Sequence, residues 1–496
     1  MKRGSIALAC AIAFLSTATS AFAAGGLRQV TIDASKPTGL IRSLQGVSGT
    51  PLPGNDDHGD YTIQHHQLGV DFVRTHDIDC SGTGDIDGIG ENRIFKDWSA
   101  DPNDPASYNF GPTDRALLSA ARAGEQIEFN LGHSDLSCAG LGFNNTPPPD
   151  PALYAQVARR VAQHYNDGWA NGYRLHIRYW EIWNEPDLVP FWAGTAQQFY
   201  ALYDATARAL KSLHPWMKIG GPALTTNNDI TGFRESLLAY IRAHDLPLDF
   251  WTIHHYSDFT EDPLDFNRLA DVSRALLDSY GFNRAEIHLN EWNYGIAEQP
   301  TETQRSAYVA SSLINMQDSQ LARAAFYRAD AHGQFGLIAA DGAFTKTGDA
   351  FAAVGSMNRT PLRLATSGGD DQGFSVEAGR SRNHEQVRVL LANYEIPPQD
   401  QGPFPPFIVN NNFTIPGIAT FTLLDRRPVA YADNNGYDLT VNGLHGNGRR
   451  YLVSRYRVDD SHNLTLVDQT FQRGRRINLS ATLPAPAVEL VVIRRV

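Results

Sequence analysis

Two stretches of this chain end in the same pair, Asn-Glu, and both ends carry residue types suited to acid–base and nucleophilic chemistry. The first is Tyr179-Trp180-Glu181-Ile182-Trp183-Asn184-Glu185-Pro186-Asp187, and the second is Ile287-His288-Leu289-Asn290-Glu291-Trp292-Asn293. Each reads as a short buried strand, aromatic and apolar and too brief for a stable helix. Pro186 has no N–H to give a sheet ladder, so the first strand must stop there and leave Asn184 and Glu185 at its carboxyl edge. In a parallel α/β barrel that rim carries the chemistry, and two glutamates on two strand ends can face one another across it. Paired carboxylates are the minimum equipment for cleaving a glycosidic bond. A lone Asn-Glu-Pro reads as a solvated rim; the matching second Asn-Glu turns the reading toward chemistry.

The roles divide by environment. Glu185 is expected to be the general acid/base, because an ionised carboxylate beside it raises its proton affinity and esterifying that partner lowers it again. Glu291 is expected to be the partner and the nucleophile. Asn184 is expected to hydrogen-bond the sugar 2-hydroxyl, a contact that strengthens as the oxocarbenium develops. Such a double displacement needs carboxyl groups roughly 5–5.5 Å apart, and a separation near roughly 9 Å would contradict it. Glu181 precedes Glu185 by an even number of residues, so it is expected deeper on the same side, structural, and partnered by an arginine. Asp187 is expected to orient the loop.

The elements that must position these residues alternate short apolar strands with amphipathic helices from about residue 40 to 355, the pattern of parallel βαβ units. Strands are expected near Ser43–Val47, Phe72–Thr75, Gln126–Asn130, Tyr179–Trp183, Lys218–Gly220, Phe250–His254, Glu286–Leu289 and Ala324–Tyr327, the count that closes a (β/α)8 TIM barrel. Leu153 to Val161 keeps apolar residues at helical spacing behind Asp150 and Pro151, and Phe199 to Leu213 repeats the pattern. After about Gly355 the helical period gives way to β-type runs (Val387–Ala392, Thr420–Leu424, Tyr451–Tyr456, Val488–Ile493), which predict a C-terminal antiparallel β-sandwich. The expected organisation is residues 1–23 as a signal peptide, 24–39 as a strand joining the sandwich, 40–355 as the barrel and 356–496 as the sandwich. Pro397 to Pro416 is expected to be a long exposed loop.

Composition bounds the partners. Over 496 residues, 54 acidic and 42 basic side chains give a net charge of −12, which is no nucleic-acid footprint, while 10% aromatic residues leave rings for stacking on sugars. A carbohydrate partner is expected, with neither nucleic acid nor membrane. Lys2 and Arg3, an apolar run to about Leu15 and Ala21-Phe22-Ala23 predict a secretory signal cleaved after Ala23, hence a periplasmic or secreted protein. Removing it leaves Cys80 and Cys138, the number for one disulfide in an oxidising compartment, and both are expected in adjacent rim loops.

Sixteen histidines raise a metallohydrolase reading. His65-His66 and His254-His255 are adjacent, so on a strand they point oppositely, and Asp77 to Gly82 faintly echoes a calcium loop but has Gly88 where the twelfth-position glutamate belongs. No metal and no cofactor are expected. A non-catalytic carbohydrate-binding protein, the other rival, has no need of both glutamates.

Trp183-Asn184-Glu185-Pro186-Asp187 with Asn290-Glu291-Trp292-Asn293 resembles the clan of retaining glycosidases whose glutamates sit on barrel strands four and seven. Within it, several stretches resemble glycoside hydrolase family 39. They are Val73-Arg74-Thr75-His76-Asp77, Gly84-Asp85-Ile86, Tyr108-Asn109-Phe110 with Asp114, Phe250-Trp251-Thr252-Ile253-His254-His255-Tyr256, Gly336-Leu337-Ile338 and Arg455 to His462. The family includes β-xylosidases, α-L-iduronidases and some exopolysaccharide hydrolases. The resemblance implies Glu185 as acid/base and Glu291 as nucleophile, with Arg74, His76, Asn184, His254, Tyr256 and Trp292 at sugar-binding positions. It implies a β-xylosidase-like enzyme, with an endo-acting exopolysaccharide glycosidase as the alternative. Strand eight departs from the xylosidase pattern. Phe326-Tyr327-Arg328-Ala329-Asp330-Ala331-His332 stands where a Tyr-Trp pair is usual, which turns Arg328 or His332 toward an acidic or differently substituted sugar.

Overall fold

The computed structural model describes residues 27–52, 59–75, 94–95, 97–132, 145–189, 191–225, 230–257, 261–295, 300–330, 335–396, 420–421, 431, 435–446 and 448–496. The expected signal segment, His76, Cys80, Cys138, His332 and the Pro397–Pro416 loop lie outside them.

Eight parallel strands close into a barrel: Gly46–Ser48, Phe72–Arg74, Gln126–Asn130, Tyr179–Glu181, Lys218–Thr225, Phe250–Ser257, Glu286–Tyr294 and Arg323–Phe326. The eighth pairs with the first through Ala325 and Gly46, where a Cβ on Gly46 would stand 2.1 Å from the Phe72 ring. Helices begin where the sequence supplies caps. Asp150 accepts from Ala152 N at the head of Pro151–Asn166, and Thr195 and Gln198 form a capping box before Ala196–Leu213. His65 and His66 stand on a helix, Thr62–Leu68, and not on a strand, so adjacency does not set them on opposite faces; His65 pairs with Glu125 at 2.9 Å. No helix among the described residues is long and apolar enough to cross a membrane.

Nine further strands form one hydrogen-bonded run, in the order His462–Arg473, Arg450–Asp459, Ala487–Arg495, Gln386–Asn393, Phe374–Arg380, Leu362–Ser367, Arg28–Leu40, Gly436–Asn442, Ile477–Thr482. All pairings are antiparallel except Arg28–Leu40 with Gly436–Asn442. Laid flat, the Tyr437 strand and the Glu489 strand would stand about 24 Å apart, at about 4.8 Å per strand. Tyr437 nevertheless donates a hydrogen bond to Glu489, so the run doubles over into a sandwich around Ile32, Leu439, Val453, Val491 and their neighbours. Glu489 also accepts from Arg455 Nε (2.8 Å) and Arg457 Nη2 (2.7 Å), which satisfies a fully buried carboxylate. Thr420–Phe421, expected in the sandwich, pairs instead with Ile230–Thr231 after the fifth barrel strand. The domains share one apolar core: Leu390, Tyr394, Val458 and Leu490 pack with the barrel residues, and Tyr394 Oη meets Tyr294 Oη at 2.8 Å.

Candidate active site

The fourth barrel strand ends at Glu181, earlier than the proline predicts. Beyond it the chain makes a turn in which Trp183 (φ 73°) and Glu185 (φ 45°) both occupy the left-handed region, strained for side chains of their size. Packing holds the turn. The Trp183 indole is buried, donating to Phe191 O at 3.1 Å, and Glu185 N donates to Ala223 O at 3.2 Å. A Cβ on Gly132 would lie 2.7 Å from Trp183 Cα and Asn184 N, so only glycine lets the third strand's end lie against this turn. Asp187 does orient the loop: its Oδ2 accepts from Thr225 N (3.0 Å) and Thr225 Oγ1 (2.6 Å). Strand alternation alone would not have aimed Glu185; the strained turn does.

On the seventh strand a bulge does the corresponding work. Ile253 pairs with Leu289 but His254 pairs with Glu291, so Asn290 is the extra residue. Asn290 donates to Glu128 and Glu181 inside the barrel, and Glu291 faces the mouth directly above. Trp292 then turns outward. It is fully buried between Phe266 and Phe326 in the layer behind the barrel wall, which corrects its expected place among the sugar-binding residues.

The two glutamates meet. An oxygen of Glu185, His254 Nδ1 and an oxygen of Glu291 all lie within 4.8 Å of one another. His254 Nδ1 shares a proton with Glu185 Oε1 at 2.7 Å and lies 3.6 Å from Glu291 Oε2. Arg74 reaches three groups at once: Nε to Glu181 Oε2 (2.8 Å), Nη1 to Glu291 Oε2 (2.9 Å) and Nη2 to Asn184 Oδ1 (2.7 Å). Tyr256 donates to Glu291 Oε1. Two donors, one a fixed cation, favour an ionised Glu291. Burial disfavours the Arg74 charge, but Glu181 and Glu291 outweigh it and raise its pKa. Burial, with the Glu291 carboxylate next, pushes the Tyr256 phenol well above its ordinary value, so it stays a donor. The Asn184 amide accepts from Arg74 through its oxygen, and its Nδ2 is enclosed with no hydrogen-bond partner among the described residues.

Below this site runs a polar column that the sequence pattern alone did not single out. Asn130 Nδ2 and Asn290 Nδ2 both donate to Glu181 at 2.6 Å, Asn290 also donates to Glu128 at 2.8 Å, and Glu128 meets His288 at 2.8 Å. Burial works against both charges of the last pair, yet His288 holds Glu128 below its ordinary range and Glu128 raises His288. At the foot, burial would raise Glu286, but hydrogen bonds from His288 and Lys218 hold it down to about 2. The signal was present in the alternation of Glu128 and Asn130, and of Glu286, His288 and Asn290, on two strands. Arg328, expected toward substrate, is buried and forked onto Asp330, with Nη2 to Oδ2 at 2.7 Å, so its charge is matched within the chain.

Glu185, His254 and Glu291 are spaced to hold a metal ion. The donor set argues against one, because both Glu291 oxygens already face donors and the Arg74 guanidinium would repel a divalent cation beside it. The arrangement suits a carboxylate pair working on an uncharged bond.

Comparison with known proteins agrees with this geometry. Residues 30–331 match Glycosyl hydrolases family 39. Over 258 residues the chain is 27% identical to a beta-xylosidase of Geobacillus stearothermophilus, covering 47% of this chain and 48% of that one. Over 286 residues it is 23% identical to a beta-xylosidase of Caldicellulosiruptor saccharolyticus, covering 51% and 56%. The matches thus span about half the length of these relatives. Among solved structures, a glucosidase from Croceicoccus marinus superposes with a TM-score of 0.83 at 32% identity, over 95% of this chain and 100% of that one. A monomeric beta-xylosidase from Caulobacter crescentus CB15 shares the fold, with a TM-score of 0.66 at 15% identity over 94% and 99%. With its paired glutamates on the fourth and seventh strand ends of the barrel, the chain belongs to Glycosyl hydrolases family 39.

Proposed function

We propose that the protein is a retaining β-glycosidase that works by double displacement. The approach of Glu185 and Glu291 to within 4.8 Å at the barrel mouth carries this reading, since an inverting pair needs room for a water between the carboxyls. Glu291, kept ionised by Arg74 and Tyr256, attacks the anomeric carbon while Glu185 gives its proton to the leaving oxygen. Glu185 then takes a proton from water, and the hydroxide displaces Glu291 with configuration retained. His254 holds Glu185 in place through the shared proton. The unbonded Nδ2 of Asn184, next in the chain to Glu185, is a spare donor for the sugar 2-hydroxyl.

The beta-xylosidases among the relatives favour a xylose-like glycone. The Croceicoccus marinus likeness, longer and at higher identity, favours a glucoside as the second reading. Hydrolysis of aryl β-xyloside and aryl β-glucoside by wild type, Glu185→Ala and Glu291→Ala tests both. Aryl release lost in Glu291→Ala and partly restored by azide in Glu185→Ala supports the roles and names the glycone. Silence on aryl glycosides with polysaccharide still cleaved means endo action, and silence on both overturns catalysis. The sequence also supports export with cleavage after Ala23 and a Cys80–Cys138 disulfide. N-terminal sequencing of the exported protein and the mass gained on alkylation before and after reduction test those two.

A further inference from the structure

Away from the barrel mouth, a cleft of about 560 Å³ lies between the helix Lys346–Gly355 and the open face of the sandwich strands Gln386–Asn393, Arg450–Asp459 and Ala487–Arg495. Its size and its place between domains are those of ligand sites. Arg388 lines it and is only 6% exposed, yet among the described residues it makes no side-chain hydrogen bond and no ion pair, and its Nε is fully enclosed. The other buried arginines among the described residues all have a partner for their side chain, an acid in every case but one. Arg28 has Asp370, Arg74 has Glu181 and Glu291, Arg305 has Glu302, Arg328 has Asp330, and Arg380 donates to Ala34 O. Arg359 and Arg494 line the same cleft and add positive charge. Burial, with the like charge of Arg359, pulls Arg388 down to about 10. The acid that shares the lining, Asp349, has Lys346 as the charge acting on it.

We propose that this cleft is an accessory binding site for a sugar unit bearing a carboxylate. A guanidinium fork matches a carboxylate two-pronged, and Arg388 offers that fork from a desolvated wall where the pairing is strongest. Arg359 adds long-range attraction. Tyr456 and Gln386 present a ring and an amide for hydroxyl and ring-face contacts, and Leu490 gives the apolar floor a pyranose face packs on. The site needs nothing from Glu185 or Glu291, so it stands independently of the catalytic reading.

The test is calorimetric titration and thermal melting of the full chain with glucuronate, with glucose and inorganic phosphate as controls, in wild type, Arg388→Met and Arg359→Gln. Glucuronate should bind wild type and raise its melting temperature, while glucose should do neither and phosphate should act more weakly. Arg388→Met should bind glucuronate at least ten-fold more weakly and should melt no lower without ligand, since it loses an unmatched charge. Arg359→Gln, on the surface, should fold normally and weaken binding several-fold. No glucuronate binding by wild type, equal binding by Arg388→Met, or unchanged affinity in Arg359→Gln should Arg388→Met fail to fold, would overturn the site. A phosphate response equal to that of glucuronate would reduce it to charge recognition and overturn the sugar assignment.

Discussion

Replacing Glu181 with glutamine changes one atom in the middle of the barrel and no atom that touches substrate. The carboxylate accepts from Arg74 Nε at 2.8 Å, and from Asn130 Nδ2 and Asn290 Nδ2 at 2.6 Å each. All three are donors, so whichever way a glutamine amide turns, its NH2 meets a donor and at least one hydrogen bond is lost. The substitution also removes the deeper of the two charges that match Arg74. A hydrogen bond to a charged group contributes about 1.5–3 kcal/mol, and breaking a buried ion pair costs about 3–5 kcal/mol. Since Glu291 still holds Arg74, the expected loss of stability is at the lower end, about 3 kcal/mol, read as a lower urea midpoint. Arg74, released at Nε, holds Glu291 and Asn184 less firmly. If that loosening removes the worth of one charged hydrogen bond from the transition state, kcat/KM falls about 10–100-fold with the pH optimum unchanged. A variant as stable and as active as wild type would refute the view that Glu181 sets the site through Arg74. A variant as stable but inactive would mean that Glu181 meets substrate itself.

Tyr256→Phe removes one donor to Glu291 while keeping the ring, so kcat/KM should fall about 10–100-fold with the urea midpoint almost unmoved. Unchanged kinetics would show the phenol to be a bystander. Glu377 is buried in the sandwich without a hydrogen bond, and burial pushes its carboxyl up to about 8, with Arg363 at 3.5 Å only partly opposing. The folded state therefore holds a proton that the unfolded chain releases above about pH 4.5. Stability from this group is present below that pH and declines as pH rises toward 8, by roughly 5 kcal/mol at about 1.4 kcal/mol per unit. Glu377→Gln should flatten the stability curve over that window in urea titrations, and an unchanged slope would assign it to other groups. Glu489→Gln leaves Arg455 and Arg457 short of a buried partner and should cost about 3–5 kcal/mol, while aryl-glycoside turnover well below the melting range stays at wild-type level.

Much of the barrel was legible because short β-type runs recur between amphipathic helical stretches, and each of the eight expected runs overlaps a strand. Their ends were harder. The fourth stops short and the sixth and seventh run on to Ser257 and Tyr294, because the limits follow from backbone conformation at Trp183 and Glu185 and from the bulge at Asn290. Neither leaves a mark in residue type. The bulge also explains Trp292, since an uninterrupted ladder gives no reason for Asn290 and Glu291 to share the inside of the barrel. The expectation that Glu181 meets an arginine came from simple alternation plus the cost of burying a lone charge, and Arg74 is that arginine. The link between Thr420–Phe421 and Ile230–Thr231 was out of reach, because two-residue pairings carry no periodicity.

The strand Arg28–Leu40 sits in the interior of the nine-stranded run, between Leu362–Ser367 and Gly436–Asn442, and Gln29 bonds Asp438 across 409 residues of chain. Its first-made segment therefore waits until the barrel has been made before it has a first neighbour, and until Gly436–Asn442 before it has both. During synthesis the barrel can close while this ribbon stays an open edge, a template for pairing with other chains until the carboxyl end arrives. Order of manufacture thus runs against order of assembly. Cutting the chain after the barrel would not release a tidy enzyme; it would strand Arg28–Leu40 with both its edges bare.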